Sequence, residues 1–223
     1  MFIRQGEGLW SAPDTFAFSK KYHCIEPCFS PDGNMLLFSS DRNSGNTEKT
    51  LSIWKVDRTK SGWSEPTQLD TTTINFNDWT LGAQWTINER LYFLRRISGM
   101  PQSFYSADWN GQKFSEPKPL DAPIHTISRY TTWNILVAPD ESYMIFPSER
   151  PGSHQGTDPY ARMDLFVSFR KNNQWTIPKS IDDINNPGLD YPLTISPDGK
   201  HLFYTSKNTL HWFGTAFLDT LNK

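Results

Sequence analysis

Basic excess, long apolar runs and cysteine are all scarce in these 223 residues. Lys and Arg number 22 against 24 Asp and Glu, a formal net charge of -2. No local run of basic residues restores the attraction on which non-specific binding to nucleic acid or anionic membranes depends, so nucleic acid is set aside as a partner. No stretch approaches the roughly 18–20 apolar residues that span a bilayer, and no membrane span is expected. The opening MFIRQGEGLW lacks the apolar centre of a signal peptide, so these residues by themselves do not predict export. Only Cys24 and Cys28 occur, too few for a disulfide framework. Four residues apart in an extended segment, they lie about 13 Å from each other, beyond disulfide reach. Signatures of catalysis are missing as well: there is no Gly-x-Ser-x-Gly elbow, no His-Glu-x-x-His pair and no Gly-Lys-Ser/Thr phosphate loop.

Aromatic residues and proline are plentiful, with nine Trp, eight Tyr, fifteen Phe and sixteen Pro. Aromatic side chains suit a pleated, half-buried surface, and frequent Pro and Gly punctuate short elements, so the composition predicts an all-β chain.

Repetition sharpens that expectation. FSPDGNMLLFSS (Phe29–Ser40) returns as ISPDGKHLFYTS (Ile195–Ser206), with degraded copies WTINERLYFLRR (Trp85–Arg96) and VAPDESYMIFPSER (Val137–Arg150). The corresponding residues Asp32, Asn88, Asp140 and Asp198 are spaced by 56, 52 and 58 residues. A second phrase recurs in phase, GLWSAP ending at Pro13, SGWSEP at Pro66, QKFSEP at Pro117 and NQWTIP at Pro178. Between them runs an alternating segment: LSIWKVDR from Leu51, SFYSADW from Ser103, DLFVSFRK from Asp164 and TLHWF from Thr209. A unit of about 50 residues holding four short strands matches a β-propeller blade. One propeller domain is expected over 1–223, with repeats near 21–70, 71–121, 122–182 and 183–213 and with 1–20 completing the last blade. The ring is then either small and closed by strand exchange or the C-terminal part of a larger propeller. Pro-Asp-Gly forms the tight turn between first and second strands, since Gly accepts positive φ. Where Glu89 and Glu141 replace that Gly, the turn is expected to relax to a type that does without it. The aromatic residue of the second phrase is expected to fill the space between sheets.

The phrases EPCFSPDGNMLLFSSDR, APDESYMIFPSER, DLFVSFRKNNQW and YPLTISPDGKHLFYTS resemble the TolB-like branch of the WD-like propeller repeats, as found in bacterial proteins that carry them as their only domain. The resemblance covers nearly the whole chain and rests on turn and core residues. It implies a bacterial protein-binding propeller in the periplasm or outside the cell, and a further SPDG unit upstream, behind an export signal.

For function, the residues just before each innermost strand are expected to ring the mouth of the central channel, where propellers bind ligands. Those positions supply Glu26, Asp78, Arg129 and Asp190, flanked by His23, His125, Trp79, Tyr130 and Tyr191. Carboxylates, a guanidinium, imidazoles and aromatic faces together suit a protein, peptide or glycan ligand. The main expectation is a non-catalytic binding module; the alternative is a glycan-acting hydrolase or lyase using carboxylates from different blades, assisted by His125 or Arg129. No cofactor is expected. His23, Cys24 and Cys28 make a weak zinc or copper candidate, set against a core role for Cys28. DDINNPGLD (Asp182–Asp190) clusters calcium-type ligands but departs from EF-hand spacing, and reads better as an inter-blade loop.

Overall fold

A computed structural model of the chain describes residues 4–6, 9–12, 15–42, 50–75, 79–97, 102–124, 134–149, 163–186, 190–196, 198–207 and 209–223. Nineteen strands are present among these residues. A hairpin of β1 (Arg4–Gly6) and β2 (Leu9–Trp10) leads to a 3-10 turn at Ala17–Ser19. Blade I comprises β3 (Cys24–Phe29), β4 (Met35–Ser40), β5 (Ser52–Thr59), β6 (Gly62–Trp63) and β7 (Thr67–Gln68). Blade II comprises β8 (Trp79–Trp85), β9 (Arg90–Arg96), β10 (Ser103–Asp108) and β11 (Lys118–Pro119). Blade III comprises β12 (Leu136–Val137), β13 (Tyr143–Ser148), β14 (Asp164–Lys171), β15 (Gln174–Trp175) and β16 (Lys179–Ser180). Blade IV has β17 (Asp190–Ile195), β18 (His201–Ser206) and β19 (Thr209–Gly214), followed by the short helix α1 (Phe217–Leu221). All pairings are antiparallel meanders, and the fold is a β-propeller of four blades.

Each inter-blade core is built by the same rule. The third strand exposes one face to the next blade, and the loop after the fourth strand adds two aliphatic plugs. Leu37, Ile53, Leu69 and Ile74 of blade I meet Leu91, Phe93 and Phe114 of blade II. Phe104, Leu120 and Ile124 of blade II meet Met144, Phe146 and Phe166 of blade III. Leu165, Ile181 and Ile184 of blade III meet Leu202, Tyr204 and Phe217 of blade IV. The phrase aromatics lie between sheets as expected: Phe114 stands edge-on to Trp85, and Trp175 edge-on to Tyr92 of the preceding blade. The Ser or Thr that follows each aromatic ties the fourth strand down, with Ser64, Ser115 and Thr176 accepting from the N–H groups of Asp57, Asp108 and Phe169, each at 3.0 Å.

On the side of blade I that faces away from blade II, Phe16 and Phe18 pack on Leu36, Phe38, Trp54 and Val56. Arg42 holds them there. Its Nη2 donates to the Phe18 carbonyl at 2.6 Å, and its guanidinium lies 4.9–5.7 Å from the rings of Tyr22, Trp54, Phe38 and Phe18. The segment leading into blade I is thus seated on blade I, and β1 pairs only with β2 among the described residues.

The turns correct one expectation. All four close with the same hydrogen bond, in which Gly33, Glu89, Glu141 and Gly199 donate to Ser30, Thr86, Ala138 and Ser196. Glu89 and Glu141 do not relax the turn. They adopt φ of 56° and 61°, beside 69° for Gly33 and 72° for Gly199. The blade geometry dictates the left-handed position, and the two glutamates accept the strain of about 1–2 kcal/mol that a Cβ meets there. For Glu141 the reason is visible: its carboxylate is 1% exposed and pairs with Arg90 of blade II at 3.2 Å and with Arg170, while Thr86 Oγ1 donates to it at 2.8 Å. Glu141 therefore bolts blade III to blade II.

No helix of the described residues is long and apolar enough to cross a membrane.

Candidate functional site

The inner strands carry a shared irregularity. In β3, β8 and β17 the ladder with the second strand slips, so that Glu26-Pro27, Gly82-Ala83 and Pro192-Leu193 each place two residues opposite one, namely Phe38, Phe93 and Tyr204. Such bulges bend the strand and re-aim its side chains. Glu26 and Gly82 take positive φ there, 54° and 68°. In blade III the same position, two residues ahead of the Leu136–Ile145 pair, is Asn134.

The three bulges and Asn134 are neighbours in turn. Glu26 Oε2 accepts from Ser39 Oγ at 3.1 Å, and that hydroxyl in turn accepts from the Gly82 N–H at 3.1 Å. A Cβ on Gly82 would lie 3.5 Å from Asn134 Oδ1 and 3.7 Å from Glu26 Oε2, so a larger residue at position 82 would crowd the oxygens of blades I and III. Asn134 Nδ2 donates to the Pro192 carbonyl of blade IV at 3.0 Å. One residue from every blade thus lies in a row across the inner strands, hydrogen-bonded from Glu26 to Gly82 through Ser39 and from Asn134 to Pro192, with Gly82 and Asn134 in close approach between the two pairs. Asn134 Oδ1 is buried and has no hydrogen-bond partner among the described residues, a cost that native interiors seldom carry without a reason. Burial pushes the Glu26 carboxyl above its ordinary range, against the lowering effect of the Ser39 and Gly82 hydrogen bonds.

The residues singled out from the sequence fare unequally. Glu26 lies on this line. Asp190, at the head of β17, is 0% exposed and paired in register with Ser206, and its carboxyl accepts from the Asn186 N–H of the loop after blade III at 3.4 Å, so it is buried where blades III and IV meet. Tyr191 is half-buried on β17 opposite Thr205. His23 is exposed on the approach to β3, its N–H donating to Asp41 at 3.0 Å, and Trp79 opens β8 at 36% exposure. Asp78, His125, Arg129 and Tyr130 lie outside the described residues.

The metal candidates have structural partners. Cys24 Sγ donates to Ser40 Oγ at 3.6 Å and accepts from Arg42, while burial pushes the Cys28 thiol up, opposed by a hydrogen bond from the Trp85 backbone. In Asp182–Asp190, Asn185 accepts from the Leu165 N–H at 2.7 Å and donates to its carbonyl at 2.9 Å, serving as an extra rung on β14. Asn75 does the same for Ile53 in blade I. Among the described residues no three His, Cys, Asp or Glu side chains come together as a metal site.

Asn134 and Gly82 are the residues that the sequence reading passed over. The signal was available: Glu26, Gly82, Asn134 and Pro192 each stand six residues before Asp32, Asn88, Asp140 and Asp198, whereas the other acidic and basic candidates fall out of phase.

No family model and no curated protein matches the chain. Among solved structures it is similar to TolB from Acinetobacter baumannii, at 15% identity and a TM-score of 0.51 over 86% of this chain and 41% of TolB. It is also similar to prolyl oligopeptidase B from Galerina marginata, at 12% identity and a TM-score of 0.50 over 81% of this chain and 22% of that one. The chain spans less than half of either protein. What it shares with them is the fold, and that fold is a TolB-like β-propeller.

Proposed function

We propose that the chain is a non-catalytic binding module that takes a protein, peptide or glycan at the channel mouth, against the line Glu26–Gly82–Asn134–Pro192. The observation that carries this reading is Asn134 Oδ1, buried and without a hydrogen-bond partner among the described residues, and the Glu26 carboxyl on the other side of Gly82. Both are hydrogen-bond acceptors, so the matching ligand presents N–H or O–H donors, as a polypeptide segment or a sugar does. The strained backbone of Glu26 supports the same reading, since left-handed non-glycine residues concentrate at ligand sites. Against the enzymatic alternative stands Asp190. Paired acid and base chemistry needs two carboxyls open to one substrate, and with Asp190 fully buried, Glu26 is the carboxyl left on the line among the described residues. Residence in the periplasm or outside the cell follows the TolB resemblance.

The test is a fluorescently labelled chain on peptide and glycan arrays, with Glu26→Gln and Asn134→Leu as controls checked for folding by circular dichroism. Binding lost about tenfold or more in both variants supports the site. Turnover of a bound glycan that disappears in Glu26→Gln would instead establish the enzyme.

A further inference from the structure

Blade IV differs from its siblings at its outer edge. Blades I, II and III each have a fourth strand on the middle of the third: Gln68 opposite Trp54, Pro119 opposite Tyr105, Ser180 opposite Phe166. The equivalent residue on β19 is His211, paired with Tyr204 as Trp54 is with Phe38, and no strand of the described residues lies beyond it. The face beside that edge is bare too. Leu210 corresponds to Ile53, Phe104 and Leu165, which are 0%, 4% and 0% exposed because the following blade covers them; Leu210 is 63% exposed. Trp212 is 65% exposed and Leu193 44%. An apolar patch of this kind on a sheet with an unpaired edge marks an interaction surface.

The chain itself contains what this edge lacks. In blades I, II and III the fourth strand begins four residues after the phrase aromatic, at Thr67 after Trp63, Lys118 after Phe114 and Lys179 after Trp175. The phrase GLWSAP places Thr15 where Gln68, Pro119 and Ser180 stand, and Phe16 where the plugs Leu69, Leu120 and Ile181 stand. Yet Phe16 and Phe18 are already packed on blade I of their own chain, under Arg42, while Leu210 and Trp212 stay exposed. A Leu69-type plug touches two blades at once: its own and its neighbour's. Among the described residues Phe16 packs on blade I and on no second blade.

We propose that blade IV docks on the blade I side of a second copy of this chain. Thr15 of that copy then stands opposite His211, where the other blades place their fourth strand, with Phe16 closing over Leu210 and Trp212. The interface continues the rule that builds the three inter-blade cores. It is head to tail, and applied reciprocally it joins two copies of four blades into one closed ring.

Sedimentation equilibrium of the 223-residue chain at micromolar concentrations tests this. The expected result is twice the 25.7 kDa chain mass, reduced to the single-chain mass by Trp212→Asp and by Leu210→Asp. Ile177→Asp, which alters an exposed residue (77%) at the outer edge of blade III, retains the dimer. Because the two edge positions are solvent-exposed, their variants keep the wild-type circular dichroism. A wild-type chain that sediments as a monomer overturns the proposal, and so does a dimer indifferent to both edge substitutions.

Discussion

Replacing Glu141 by Gly should destabilise the protein, although Gly is the residue the turn geometry favours. At φ 61° the substitution removes left-handed strain, about 1–2 kcal/mol, offset by about 0.5–1 kcal/mol of added chain entropy in the unfolded state. It also strips a carboxylate that is 1% exposed from Arg90 and Arg170, whose side chains are only 27% and 20% exposed. Breaking a buried pair from one side costs about 3–5 kcal/mol, and partial solvation of the guanidiniums places this case near the lower figure. The net loss is about 2 kcal/mol. Glu89 provides the internal control, since its turn, one residue shorter, has the same closing hydrogen bond and φ of 56° but an exposed side chain, so Glu89→Gly should gain about 0.5–1 kcal/mol. For a chain of this length the two variants should melt on opposite sides of wild type, about 4–8 °C below and 1–4 °C above. Calorimetry reads both. A neutral or stabilising Glu141→Gly would refute the argument that ion pairing, rather than tolerance of strain, keeps Glu at this turn.

Other expectations follow from the same contacts. Because the folded state raises the Glu26 carboxyl above its ordinary value of 4.5, the native protein binds that proton more tightly than the unfolded chain. Stability therefore falls as pH rises through the interval between the two values and levels off above it; urea titrations should show the Glu26→Gln minus wild-type difference growing across that interval, and a constant or opposite difference would contradict the assignment. Arg42→Ala should cost about 2–3 kcal/mol by removing the short charge-assisted hydrogen bond to the Phe18 carbonyl, the longer ones to Cys24 and Ser40, and the aromatic contacts, and should speed tryptic cleavage at the exposed Lys20 and Lys21; unchanged cleavage would mean that Arg42 does not clamp this segment. Cys28, its thiol pushed up by burial, should react with a maleimide reagent far more slowly at pH 8 than a free thiol does, as mass spectrometry of labelled peptides would show. Gly82→Leu should weaken both stability and array binding, since its side chain would be driven against Asn134 and Glu26; full retention of both would place the site elsewhere.

The fold was legible because its signals are local. Pro-Asp-Gly turns, alternating strands and aromatic phrases occupy contiguous residues, and their phase survives even where single residues degrade, as at Asn88 and Glu141. What escaped the sequence depends on distant partners. Glu141 looks like a damaged turn until Arg90 and Arg170, some 51 and 29 positions away in sequence, are brought beside it. The site was half legible for a related reason. Charge and nearness to a predicted strand select Asp190, which the structure buries; phase with the turns selects Glu26 and Asn134, because bulges recur with the repeat while charges do not. Neither rule exposes the bare edge at β19, where the informative quantity is the exposure of Leu210 beside its buried counterparts.

The proposed ligand line is tested most directly by hydrogen–deuterium exchange of the chain with and without the strongest array hit, at saturating concentration. The account predicts protection in the inner strands 24–29, 79–85 and 190–195 and around Asn134, with the outer strands unchanged. Protection confined to the Pro-Asp-Gly turns or to the fourth strands, with the inner strands unaffected, would contradict it.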